Sequence, residues 1–200
     1  VANDHFYTGH GMSIGSETSG GVSAVRVRNL TVDGAVNGLR IKSNASRGGL
    51  VTGVTYDNIC LRGVRHPIVV NAFYGLPRHG RAAPGGDSPP VFRGIVFRRV
   101  TILGAGRIVL DGYSAADPAR LRFNGVFAAR PGAISVRARH ARVRIGPRGS
   151  NLPLPAAAAP SGPVHASTAG GAACQDRFVP LPASAVILRP ASSLPSGVAR

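Results

Sequence analysis

Apolar and polar residues alternate along this chain with a period of two, and no stretch shows the three-to-four-residue spacing of an amphipathic helix. One eight-residue template recurs: apolar, any, apolar, any, polar, apolar, any, apolar. It is met by Val25, Val27, Asn29, Leu30 and Val32, and again by Val54, Tyr56, Asn58, Ile59 and Leu61. It returns as Ile95, Phe97, Arg99, Val100 and Ile102, and in weaker form as Leu121, Phe123, Gly125, Val126 and Ala128. The copies start at 25, 54, 95 and 121, giving steps of 29, 41 and 26 residues. The long step contains the Gly- and Pro-rich run Gly75–Pro90, which reads as an inserted surface loop. Without roughly a dozen of those residues the period becomes regular.

A second short alternating segment follows each copy, at Leu39–Lys42, Ile68–Asn71, Ile108–Asp111 and Ile134–Arg137. Two strands in each repeat of roughly 25 to 30 residues, with no helical pattern, predict an all-β solenoid, specifically a right-handed parallel β-helix. Sandwich strands do not recur on one template at a fixed period, and the ladder of a leucine-rich repeat is missing. An irregular antiparallel barrel is the remaining alternative. The opening Val1-Ala-Asn-Asp-His-Phe-Tyr7 lies in mid-pattern with no capping element, so N-terminal coils are expected to be missing from this sequence.

The repeat is expected to occupy residues 1–150. Beyond Asn151 the composition shifts: residues 151–200 hold eight of the sixteen prolines, twelve alanines and four charged residues. Residues 151–172 read as a poorly ordered Pro/Ala-rich segment, 173–182 as a short closing strand laid against the last coil, and 183–200 as a loose tail.

Charge changes the picture less than its size suggests. Twenty-four Lys and Arg against eight Asp and Glu leave a net charge of +16 over 200 residues. Lys42 is the single lysine, and this arginine, alanine, glycine and proline bias is what a GC-rich genome produces without functional pressure. The alternative is affinity for a polyanion, either nucleic acid or an acidic polysaccharide. There is no Trp, and the four Tyr and seven Phe are not interleaved with cations as base-stacking platforms would be. No apolar run approaches the roughly 18 residues of a membrane-spanning helix. Cys60 and Cys174 are too few and too far apart for a zinc site or a CxxC redox motif. They either form one disulfide in an oxidising compartment or stand as two separate thiols. The six histidines show no metal-ligand spacing, so no metal or cofactor is expected.

Candidate chemistry is concentrated in two places. His10 lies between Gly9 and Gly11, and one repeat later comes Arg40-Ile41-Lys42. On a strand Ile41 turns into the coil and leaves Arg40 and Lys42 side by side outside it, on the face that carries His10 in the adjacent coil. Two cations held together repel, and an anionic ligand relieves that repulsion. The equivalent positions one coil on are Val69 and Asn71, so the paired cations are not a general feature of the repeat.

Thr8-Gly-His-Gly-Met-Ser-Ile-Gly-Ser-Glu-Thr18 and Asn37-Gly-Leu-Arg-Ile-Lys-Ser43, continued by Tyr56-Asp-Asn58, Pro67–Val70 and Tyr74, resemble glycoside hydrolase family 28, in particular bacterial endo-polygalacturonases. The resemblance covers residues 1 to about 130 and corresponds to a C-terminal part of such enzymes. It implies a secreted, monomeric parallel β-helix that hydrolyses α-1,4-galacturonosyl bonds of pectate with inversion and without a cofactor. It also implies that His10 is the active-site histidine, that Arg40 and Lys42 bind galacturonate carboxylates, and that Tyr74 contacts the sugar. Nucleic acid and membrane are not expected partners.

The family draws its catalytic carboxylates from an Asn-Thr-Asp motif and an Asp-Asp pair upstream of Gly-His-Gly. Neither motif occurs here, and the single acid before His10 is Asp4. The chain is therefore expected to lack polygalacturonase activity by itself. Two other readings stand beside this one: a non-catalytic pectate-binding remnant, and an arginine-rich solenoid that binds any polyanion.

Overall fold

The computed structural model of the protein describes residues 1–75, 88–162, 174 and 176–182. The insertion at 76–87, residues 163–173, residue 175 and the tail from 183 lie outside the described residues.

The chain winds into successive coils. β1 (Ala2–Phe6) and β2 (Met12–Ile14) come first, followed by β3 (Val22–Ser23), β4 (Arg26–Asp33) and β5 (Asn37–Lys42). The next coil is β6 (Leu50–Thr52), β7 (Val54–Arg62) and β8 (His66–Asn71), and the next β9 (Val91–Phe92), β10 (Ile95–Leu103) and β11 (Gly106–Asp111). β12 (Ala119–Ala128), β13 (Ile134–Arg139) and β14 (Ala141–Ile145) complete the series. Equivalent strands stack into three sheets, ordered β1-β4-β7-β10-β12-β14, β2-β5-β8-β11-β13 and β3-β6-β9. The paired named strands all run parallel, which decides for the β-helix and against the antiparallel barrel.

The recurrent template maps onto the six-stranded sheet in register. Val27 sits beside Tyr56, Tyr56 beside Phe97 and Phe97 beside Phe123. Leu30, Ile59, Val100 and Val126 form a second column, and Val32, Leu61, Ile102 and Ala128 a third. All of these side chains are buried. The Phe97 ring stacks on Tyr56 at 5.2 Å between centroids and meets Phe123 edge-on at 5.4 Å.

The polar position of the template has a backbone cause. Asn29, Asn58, Arg99 and Gly125 take φ of 55, 61, 48 and 83°, as does Asn3 at 55°. Each coil turns a corner there in the left-handed region, which Gly and Asn enter most readily. The asparagines also form a ladder: Asn58 Nδ2 donates to Asn29 Oδ1 and Asn29 Nδ2 to Asn3 Oδ1, both at 2.8 Å. The pattern does not reveal the three-stranded sheet, whose strands are only two or three residues long, nor β14.

The C-terminal segments depart from expectation. Residues 151–162 do not stand apart from the solenoid: Leu152 and Ala158 are buried, and Asn151 bonds both the N–H and the carbonyl of Ala128 at 2.8 Å. A 3₁₀ turn at Ala156–Ala158 packs against β13 and β14, and Ser161 exchanges backbone bonds with Val143 and Ile145. Leu152 and Ala158 are the side chains that pack inward while the other alanines stay exposed, and prolines lack the N–H that would extend the ladder, so a composition that reads as disorder covers the last coil. Residues 176–182 form no strand. A Cys60–Cys174 disulfide, with Cα atoms 5.8 Å apart, ties this segment to β7 and not to the last coil. Arg177 Nη1 donates to Asn58 Oδ1 at 2.9 Å, and the Arg62 guanidinium lies 4.1 Å from the centre of the Phe178 ring.

The disulfide closes a loop with a sequence separation of 114, so Cys174→Ala is expected to lower unfolding free energy by about 2–5 kcal/mol in urea titration. Phe97→Ala opens a hole in the aromatic column and is expected to cost about 3–5 kcal/mol in the same assay.

Candidate binding groove

The glycines around His10 bring two coils together. Gly9 and Gly11 have φ of 76 and 53°. A Cβ on Gly11 would lie 2.3 Å from the Gly38 carbonyl oxygen and 2.4 Å from that of Asn37, so only glycine lets the chain enter β2 this close to β5. The approach allows Asn37 Nδ2 to donate to His10 Nδ1 at 3.0 Å. With Nδ1 accepting, the neutral ring carries its proton on Nε2 and presents it away from Asn37. Burial pushes the His10 pKa down, and the positive charges of Arg40 and Lys42 push it down further, so both effects favour the neutral ring.

β5 lies beside β2 with Ser13 opposite Arg40 and Ile14 opposite Ile41. Ile41 is buried in the core as its parity requires, and Arg40 and Lys42 project from the other face. Arg40 is nevertheless only 8% exposed; its Nε donates to Ser13 Oγ at 3.0 Å, and Ser13 Oγ donates to the His10 carbonyl at 2.9 Å. Desolvation lowers the Arg40 pKa. No described carboxylate pairs with Arg40 or Lys42.

Tyr74 is delivered from the turn after β8. Its N–H donates to the Ser43 carbonyl at 2.9 Å, and its own carbonyl accepts from Asn44 Nδ2 at 2.7 Å. Its ring then lies under Lys42, with Nζ 4.0 Å from the ring centre, which fixes the ammonium by a cation–π contact. The four residues singled out from the sequence, His10, Arg40, Lys42 and Tyr74, therefore meet at one place. Arg40, Lys42 and Tyr74 line a groove of about 430 Å³ on the outer face of the five-stranded sheet, and His10 stands at its edge through Asn37.

The groove continues over later coils, past Asn71, Val109 and Asp111 to Arg107, Arg137 and Arg139. Asp111 is buried and accepts a hydrogen bond from Arg137 Nη2. Burial pushes its carboxyl above the ordinary range, while Arg137, Arg139 and Arg107 act to lower it. Sequence reasoning gives no role to Asn37, Ser13, Asp111 or these arginines. Register would have found two of them: Arg40 stacks through Val69 and Val109 to Arg137, and Lys42 through Asn71 and Asp111 to Arg139. The paired cations absent from β8 thus return on β13. Among the described residues no group of three or more His, Cys, Asp or Glu is placed to hold a metal ion, and no helix is long and apolar enough to cross a membrane.

Parallel coils stacked in three sheets, with a cationic groove along one of them, make a right-handed parallel β-helix. A model of glycosyl hydrolases family 28 matches residues 1–126, and the chain belongs to that family. A polygalacturonase of Ralstonia solanacearum is 47% identical over 112 residues, covering 54% of this chain and 20% of that relative. An endo-polygalacturonase of Pectobacterium parmentieri is 40% identical over 126 residues, covering 63% of this chain and 29% of the relative. A plant exopolygalacturonase from Arabidopsis thaliana is 32% identical over 97 residues, 46% of this chain and 21% of its own. The match thus spans less than a third of the length of these curated relatives. No solved structure matches.

In an NMR titration His10 is expected to titrate below its ordinary value of 6.5. Because cations oppose the imidazolium, Arg40→Ala combined with Lys42→Ala is expected to move the midpoint upward. An unchanged midpoint in the double variant would mean that the two cations do not act on His10.

Proposed function

We propose that this chain binds polygalacturonate along the groove, as part of an enzyme that hydrolyses α-1,4-galacturonosyl bonds with inversion. The observation that carries this reading is that Arg40, Lys42 and Tyr74, from adjacent coils, line one groove with His10 bonded to its lining residue Asn37, the two cations being free of described carboxylates. A uronate carboxylate completes that arrangement: it accepts hydrogen bonds from the Nη groups of Arg40, whose Nε is held by Ser13, and Lys42 adds a second charge. Tyr74 offers a ring for a sugar face while holding Lys42 in place. Neutral His10, with its proton on Nε2, is a hydrogen-bond donor for an acidic group or a sugar oxygen.

Inverting hydrolysis needs an acid and a base carboxyl separated by roughly 6.5–9.5 Å, with water between them. Among the described residues lining the groove, Asp111 is the one carboxylate, and it is already paired with Arg137. Three of the other described acids are likewise engaged, Asp33 with Arg62, Asp57 with Arg99 and Glu17 with Arg47. The 200 residues by themselves are accordingly assigned to binding without cleavage. The disulfide supports work in an oxidising, extracellular setting.

One observation favours a second reading, binding of any polyanion. On the six-stranded sheet Arg120 lies beside Arg142 and Arg122 beside Arg144, all exposed, so like charges face one another across strands.

Calorimetry with polygalacturonate separates the readings. Salt-sensitive binding is expected, with affinity falling about tenfold or more in the Arg40→Ala/Lys42→Ala double variant and no new reducing ends released. Equal affinity for heparin, DNA and polygalacturonate, unmoved by the double variant, would select the second reading.

A further inference from the structure

We infer that Arg137 and Arg139, with Arg107 beside them, form a second uronate-binding station in the same groove, so that an acidic polysaccharide is held at two separated points. The inference rests on the proposal that the groove takes polygalacturonate. Arg137 and Arg139 lie beyond the residues matched by the family model.

The register places them. Arg40 and Arg137 occupy one column of the five-stranded sheet, and Lys42 and Arg139 the next outward-facing column. Two intervening strands put the pairs three strand spacings apart, roughly 14 Å. Between them lie Val69 and Val109 in one column and Asn71 and Asp111 in the other, so neither column carries a cation between the two pairs. That spacing suits a polymer with charge at intervals and cannot be bridged by one small anion.

The distal station is also built in advance. Asp111 holds Arg137, and Arg139 lies 4.0 Å over the Phe73 ring, itself stacked on Tyr113 at 5.9 Å. Arg107 is exposed at the groove wall and pairs with no described carboxylate. Three arginines against one carboxylate leave positive charge for an incoming anion. Asp111 itself is buried beneath the arginines, so its charge is spent inside the station and not offered to the groove.

Calorimetry on the full chain tests this with two probes, trigalacturonate and long-chain polygalacturonate. The Arg107→Ala/Arg139→Ala variant leaves the Arg137–Asp111 pair intact, and circular dichroism checks its fold. It is expected to lose about tenfold in affinity for the long chain while trigalacturonate changes by no more than about twofold, because only a long ligand spans both stations. Arg40→Ala/Lys42→Ala is expected to weaken both probes. Unchanged long-chain affinity in the distal variant, or equal losses for the two probes, would overturn the second station and leave the groove assignment standing. Failure of the unaltered chain to bind either probe would overturn both. A distal variant that unfolds is replaced by Arg139→Gln alone, for which the same length-dependent loss, smaller in size, is expected and its absence overturns the station.

Discussion

In-register parallel stacking is the constraint on which the rest of this molecule depends. Each coil repeats the same corner in the left-handed backbone region, at Asn29, Asn58, Arg99 and Gly125, and so each coil presents the same positions inward and outward. Inside, this converts a linear template into columns of buried side chains. Outside, it converts residues far apart in sequence into neighbours about one strand spacing apart. The groove is a consequence of the second effect: Ser13, Arg40, Val69, Val109 and Arg137 come from five strands and share one line.

Close approach of β2 to β5 then sets the electrostatics. Gly11 removes the side chain that would strike Asn37 and Gly38, Asn37 fixes the His10 ring, and Ser13 links Arg40 to the His10 carbonyl. The same geometry buries the imidazole and sets two cations near it, and both lower its pKa, burial more than the charges. Their mutual repulsion is tolerated because Tyr74 and Ser13 each hold one of them, and an acidic ligand offsets what remains.

Leu152 and Ala158 cover the coil of β12 to β14, and the segment from Cys174 returns across β7 through a disulfide and the Asn58 ladder. In a solenoid each coil touches only its neighbours, so stacking contacts reach about one repeat along the sequence and not much further. A link of sequence separation 114 therefore constrains the chain in a way no stacked strand does.

Much of this was legible in the sequence. The template and its spacing specify the β-helix, the inward face and the strands β4, β7, β10 and β12, because a period of two and a repeat length are local properties of the chain. The motifs around His10, Arg40, Lys42 and Tyr74 likewise mark the proximal part of the groove. What the sequence did not show depends on contacts that composition hides. Residues 151–162 cover the last coil through Leu152, Ala158 and the hydrogen bonds of Asn151 and Ser161, and Cys174 finds Cys60 through a path that no spacing rule describes. Arg137 and Arg139 become partners of Arg40 and Lys42 only when the register is known, since a shift of one residue would turn them to the other face. Local pattern determined the coil; the stacking of coils decided which charges share the groove.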